Sequence, residues 1–146
     1  MITTALQLLE SKGRDVWSVA PDMLVYDALQ VMAEKDVGAV LVLEGDRLVG
    51  IFSERDYARK VILQGKSSKT VAVREMMARE VVFVHPDDSL ETCMKLMTAR
   101  RVRHLPVMDG ERLFGVVSIG DVVKRVIANQ EFTIRELEKY IRASYV

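Results

Sequence analysis

The sequence is short of several things, and each shortage removes a class of function. It holds one cysteine, Cys93, so no disulfide can form within the chain, and a lone thiol survives best in a reducing compartment; a cytoplasmic protein is expected. The two histidines, His85 and His104, stand with Cys93 at no metal-ligand spacing and form no recognisable acid, base and nucleophile group, so neither a metal, a catalytic cofactor nor an enzyme activity is expected. The longest apolar runs, such as Ala39 to Leu43, fall far short of the roughly 20 residues a membrane span needs. No basic region precedes the apolar residues of Met1 to Leu9, so that stretch does not read as a signal peptide. An excess of one charge is missing too: 21 basic residues balance 21 acidic ones, which removes the overall field that draws a protein to nucleic acid or to acidic lipid.

What is present is a repeat. Sliding residues 17–62 onto 82–127 without a gap gives fourteen identities, among them Pro21/Pro86, Met32/Met97, Gly45/Gly110, Gly50/Gly115, Ser53/Ser118 and Asp56/Asp121. At 146 residues with 49% hydrophobic content the chain suits one compact module over 1–146, whereas a half of this size rarely builds a sufficient core. The halves are therefore expected to pack against each other.

Each half reads as strand, helix, strand, strand, helix. In repeat one (about 14–63), Val16 to Val19 is a strand, and Val25, Ala28, Leu29 and Met32 give a helix its apolar face. Ala39 to Leu43 and Leu48 to Phe52 form a hairpin about Gly45, and Tyr57, Ala58, Val61 and Ile62 mark a second helix. A linker at about 64–72 leads to repeat two (about 73–128). There the pattern recurs in Val81 to Val84, in Leu90, Cys93, Met94 and Met97, in His104 to Met108, in Leu113 to Val117, and in Val122, Val123, Val126 and Ile127. Outside the repeat stand a helix capped by Thr3 or Thr4 and stopped at Gly13, and a separate amphipathic helix at about 131–145 carrying Ile134, Leu137 and Ile141. The fold class is α+β: two pseudo-symmetric β-α-β-β-α repeats packed sheet to sheet, with extra N- and C-terminal helices.

The turns at Gly50 to Asp56 and Gly115 to Asp121 carry the chemistry. A Ser followed three residues on by an Asp is first of all a capping box. The same turn also suits a nucleoside phosphate: helix-start amides for phosphate, a carboxylate for a ribose diol, and Gly50 or Gly115 for close backbone approach. Arg101 and Arg103 ahead of a strand add cations in repeat two only, so two sites would not be equal.

The doubled turns in matching register, with Arg103-His104-Leu105-Pro106-Val107, resemble a tandem pair of CBS domains, or Bateman module, over about residues 14–128. The resemblance implies two clefts between the repeats that take adenosine ligands such as AMP, ADP, ATP, NAD or S-adenosylmethionine. Carried over, one cleft joins Ser53, Arg55 and Asp56 to Val82, Arg103, His104 and Pro106, and is the primary site. The other joins Ser118 and Asp121 to Trp17, Gly38 and Ala39, with Gly120 where the first has Arg55. The resemblance further implies a homodimer and a regulatory module acting in trans on an unidentified protein partner. The alternative is a ligand-independent dimeric adaptor in which Ser and Asp only cap helices.

Overall fold

The computed structural model describes residues 3–144, so the first two residues and Tyr145 of the expected terminal helix lie outside the described residues. The chain runs α1 (Ala5–Lys12), β1 (Ser18–Val19), α2 (Val25–Lys35), β2 (Ala39–Glu44), β3 (Arg47–Ser53), α3 (Glu54–Asp56), α4 (Val73–Met76), α5 (Leu90–Arg100), β4 (His104–Asp109), β5 (Arg112–Ser118) and α6 (Ile119–Ser144). In repeat one, β1 lies parallel to β2, which pairs antiparallel with β3. The β4–β5 hairpin repeats the β2–β3 register residue for residue, with Val42 opposite Gly50 and Val107 opposite Gly115.

The first strand expected in repeat two, Val81 to Val84, does not form; only Val84 bridges Val107. Proline chemistry explains the loss. In repeat one the Leu41 amide donates to Trp17 O at 3.0 Å, and the residue equivalent to Leu41 is Pro106, which has no amide to offer Val82. Two bonds remain, Val84 N to Pro106 O and Met108 N to Val84 O, and they hold a single residue.

The helix at 3–12 is not outside the repeat. Its first amides donate to Asp88 O and Pro86 O, while those of α4 donate to Met23 O and Pro21 O. The two helices are therefore equivalent, but offset by 68 residues where the rest of the repeat is offset by 65, and the three extra residues hide the match from an ungapped comparison. They are also exchanged. Ala5, Leu8 and Leu9 of α1 enter the core of repeat two with Val84, Cys93, Leu105 and Val117, whereas Val73 and Met76 of α4 enter the core of repeat one with Val25, Val40, Phe52 and Val61. Each half lends the other a helix, which makes the two cores interdependent.

Two further expectations change. After Asp56 the helix widens into a π turn (Tyr57–Val61) and then tightens into a 3₁₀ turn (Ile62–Gln64). The extra residue in the wide turn rotates Ile62 away from the core, so it stands 54% exposed while Val61 is buried. The expected separate terminal helix is instead continuous with the last repeated one, because no Gly or Pro follows Gly120 in α6 and nothing between Val126 and Thr133 breaks a helix. Residues 130–143 of α6 are exposed throughout.

Candidate functional site

Two clefts meet where the repeats face each other. The first, of about 580 Å³, is lined by Ser53, Arg55, Asp56, Arg103 and His104 of the expected set, together with Arg59, Lys60, Arg100 and Arg101. The second, of about 380 Å³, is lined by all five of its expected residues, Trp17, Gly38, Ala39, Ser118 and Asp121, and also by Lys12, Asp15 and Asp36. Gly38, Ile51, His104 and Ser118 border both. A Cβ on Gly38 would sit 3.6 Å from His104 Cε1 and 3.8 Å from Glu54 Oε2, so the clefts are parted by little more than one imidazole ring.

Val82 and Pro106 do not reach a cleft. Pro106 is buried inside β4, and Val82 packs on the core of repeat two, because the strand that would have aligned Val82 with the cleft edge is missing.

The turn carboxylates are engaged. Asp56 Oδ2 accepts from Ser53 N at 2.9 Å and Ser53 Oγ at 3.0 Å, while its Oδ1 meets Lys60 Nζ at 3.2 Å. Ser53 Oγ accepts from Asp56 N, completing the capping box. Glu54 N and Ile119 N donate to Gly38 O and Arg103 O, and Asp56 N and Asp121 N to the turn serines, so two of the first three helix amides in each turn are already used. Phosphate binding in the first cleft would therefore rest on side-chain cations more than on helix amides.

The turn glycines serve packing. A Cβ on Gly115 would come within 2.9 Å of Leu9 Cδ2, and one on Gly50 within 2.5 Å of Met77 Sδ and 2.9 Å of Ala78 O. They let the exchanged helices α1 and α4 press onto the hairpins, a role different from the close ligand approach suggested by their position in the turn.

Charge separates the clefts. Six basic residues and two acidic ones, Glu54 and Asp56, line the first; three carboxylates and one lysine line the second. The difference sits at equivalent positions: Arg101, Arg103 and Arg55 correspond to Asp36, Gly38 and Gly120. Asp36 and Arg101 both end a helix in the left-handed conformation, with φ of 53° and 54°, so the same backbone presents opposite charges to the two clefts.

Lys12 was not legible as a site residue, since it reads simply as the last turn of a helix. Packing of Leu9 against Gly115 brings the end of α1 over β5, where Lys12 Nζ donates to Val116 O at 2.7 Å and to Asp121 Oδ2 at 2.5 Å. Burial alone would raise the Asp121 carboxyl, but hydrogen bonds from Lys12 and Ser118 and the lysine charge hold it below its ordinary value. Burial lowers His104, the Lys12 and Arg103 charges lower it further, and Asp121 opposes them, so the imidazole is neutral near pH 7. Among the described residues no group of three or more His, Cys, Asp and Glu is placed to hold a metal ion, and no helix is long and apolar enough to cross a membrane.

A duplicated unit whose halves exchange helices and face each other across two polar clefts defines a paired-repeat module. The chain belongs to the CBS domain family, which matches residues 12–62 and 73–128. It is 39% identical to the mitochondrial CBS domain-containing protein CBSX3 of Arabidopsis thaliana, over 98% of this chain and 74% of that one. It is 34% identical to the CBS domain-containing protein YhcV of Bacillus subtilis, over 79% and 81%. Among solved structures, a protein with CBS domains from Burkholderia ambifaria shares 53% identity and a TM-score of 0.85, over 88% of this chain and 96% of that one. The CBS domain pair of the protein MJ0100, solved with 5′-methylthioadenosine and S-adenosyl-L-methionine, shares the fold at a TM-score of 0.77 and 21% identity, over 89% and 99%.

Proposed function

We propose that this CBS pair is a non-catalytic sensor that binds an adenine nucleotide in its first cleft and acts in trans on a protein partner. The observation that carries this is the concentration of Arg55, Arg59, Lys60, Arg100, Arg101 and Arg103 around one cleft of a chain with no net charge. Like charges are held together at a cost unless an anion offsets them, and a cleft of about 580 Å³ has room for a nucleotide. Adenine is the base favoured by the adenosine ligands of the MJ0100 pair. AMP, ATP and NAD all fit the reading, and four cations in excess favour ATP among them. A cytoplasmic setting suits the free thiol, and the similarity to a mitochondrial protein makes an organelle matrix the competing location.

Native mass spectrometry, followed by denaturing release of bound small molecules, tests the proposal. Retained AMP, ATP or NAD supports it. A protein that retains none, and gains no thermal stability when those nucleotides are added, refutes it.

A second reading, a homodimeric adaptor that needs no ligand, is favoured by α6. Ile127, Ile134 and Ile141 recur every seven residues, with Val123 one turn before the first and Leu137 between the last two, and all five are about half exposed. Such a seam, continued by the apolar groove that Met94, Val122 and Val126 line beside it, suits a second copy of the same helix. A dimer that persists without nucleotide would support this reading, and a nucleotide-dependent dimer would merge the two.

A further inference from the structure

The second cleft differs from the first in how its turn carboxylate is held: Asp56 pairs with Lys60 one turn along its own helix, whereas Asp121 pairs with Lys12, 109 positions away on α1. Asp121 is the equivalent of Asp56 and the natural acceptor for a ribose diol. Its Oδ2 is taken by Lys12 Nζ and by Ser118 N, at 2.5 and 2.8 Å, and the same lysine donates to Val116 O on the cleft wall. Lys12 is the only Lys or Arg lining this cleft among the described residues, and pairing with Asp121 uses its charge. Asp15 and Asp36 are then left in excess, so the field at this cleft is negative where that of the first is positive.

Resting on the reading that these are adenine-ligand clefts, we propose that the second cleft selects an adenine nucleoside without phosphate, and that Lys12 is a latch the ligand must displace from Asp121. A phosphate group brought here meets two carboxylates in the lining and, with Gly120 in place of an arginine, no spare cation among the lining residues, Lys35 Nζ standing 4.5 Å from the centroid of the Trp17 ring. A neutral nucleoside meets neither obstacle. To bring both ribose hydroxyls to the Asp121 carboxylate it has to break the ion pair at Oδ2, and the flexible lysine stem, about one-third exposed, lets the ammonium swing to water. The two clefts would then sort ligands by charge, nucleotide to the first and nucleoside to the second.

Trp17 makes the test specific. It is the only tryptophan in the chain and lines the second cleft, so its fluorescence reports that cleft, while calorimetry reports both. Titrating wild type with adenosine and with ATP is expected to change Trp17 emission with adenosine at a concentration at least about tenfold lower than with ATP. In Lys12→Met, which frees Asp121 and keeps the stem, adenosine binding at Trp17 is expected to tighten by about tenfold while ATP binding there weakens further. The paired change Asp15→Asn with Asp36→Asn leaves Lys12 in place and should bring the ATP response closer to that of adenosine; Asn suits the left-handed backbone at 36.

ATP binding at Trp17 as tightly as adenosine, or Lys12→Met weakening adenosine binding, would overturn the latch while the nucleotide reading of the first cleft stands on its calorimetric signal. A wild-type chain that binds neither compound by either method overturns both.

Discussion

Replacing each turn glycine by alanine separates the packing role found for it from the ligand role suggested by the sequence. A Cβ at residue 50 meets Ala78 O at 2.9 Å, and that carbonyl is held by reciprocal bonds, Ile51 N to Ala78 O at 3.0 Å and Ala78 N to Ile51 O at 2.9 Å. It also meets Met77 Sδ at 2.5 Å, on a half-buried side chain against the core of repeat one. Neither contact yields without disturbing the bridge to α4. Overpacking of this kind costs about 1–3 kcal/mol, and alanine recovers about 0.4–1 kcal/mol by restricting the unfolded chain. Gly50→Ala should therefore lose about 1–2 kcal/mol, which for a chain of this length lowers Tm by about 3–6 °C. At residue 115 the obstacles are the two methyls of Leu9, at 2.9 and 3.1 Å, which a change of rotamer can move. That adjustment costs about 0.5–1.5 kcal/mol, and the backbone at residue 115, with φ of 158°, is one that residues with a side chain rarely adopt, so alanine there adds strain and Gly115→Ala should lose about 1–3 kcal/mol. Urea unfolding followed by circular dichroism measures both. The reasoning fails if neither change alters stability while nucleotide affinity collapses.

Arg103→Gln and Arg55→Gln, tested by calorimetry, should each weaken ATP binding in the first cleft by about tenfold, as expected for losing one charge-assisted contact to phosphate. Stability should fall with acid in two stages. His104 resists protonation when folded, so the unfolded chain takes the proton first and stability declines as pH drops below about 6.5; Asp121, held below its ordinary 3.8, contributes stability that is lost as pH falls through its lower folded value. In Lys12→Met the His104 titration followed by NMR should move up towards, without reaching, its ordinary value, since burial remains. Cys93, buried and with its thiol pushed up to about 11 by burial and the nearby Asp88 charge, should react with a thiol reagent at pH 8 only as fast as the protein opens; rapid labelling of the folded chain would contradict this. Ile134→Asp with Ile141→Asp should yield a folded monomer by light scattering if α6 joins two copies, and an unchanged dimer would place the interface elsewhere.

The repeat, the two hairpins, the α2 and α5 helices and the serine–aspartate turns were all legible in the chain, because each depends on residues near in sequence: apolar spacing, a turn glycine, a hydroxyl three positions before a carboxylate. So was the inequality of the two sites, from Arg103 against Gly38 and Arg55 against Gly120. What the sequence did not disclose was set by contacts beyond local pattern, some within a half and some between the two. The missing strand at Val82 follows from a hydrogen bond that Pro106 cannot donate across the sheet, and Ile62 leaves the core because a π turn shifts its angle. The exchange of α1 and α4 between cores was hidden by a three-residue change of spacing, yet it explains why residues 50 and 115 are glycine and why Lys12 reaches Asp121 more than a hundred positions away. Local pattern determined which elements exist and which residues crown them. Only tertiary packing decided which helix covers which hairpin, and with it which charges line each cleft.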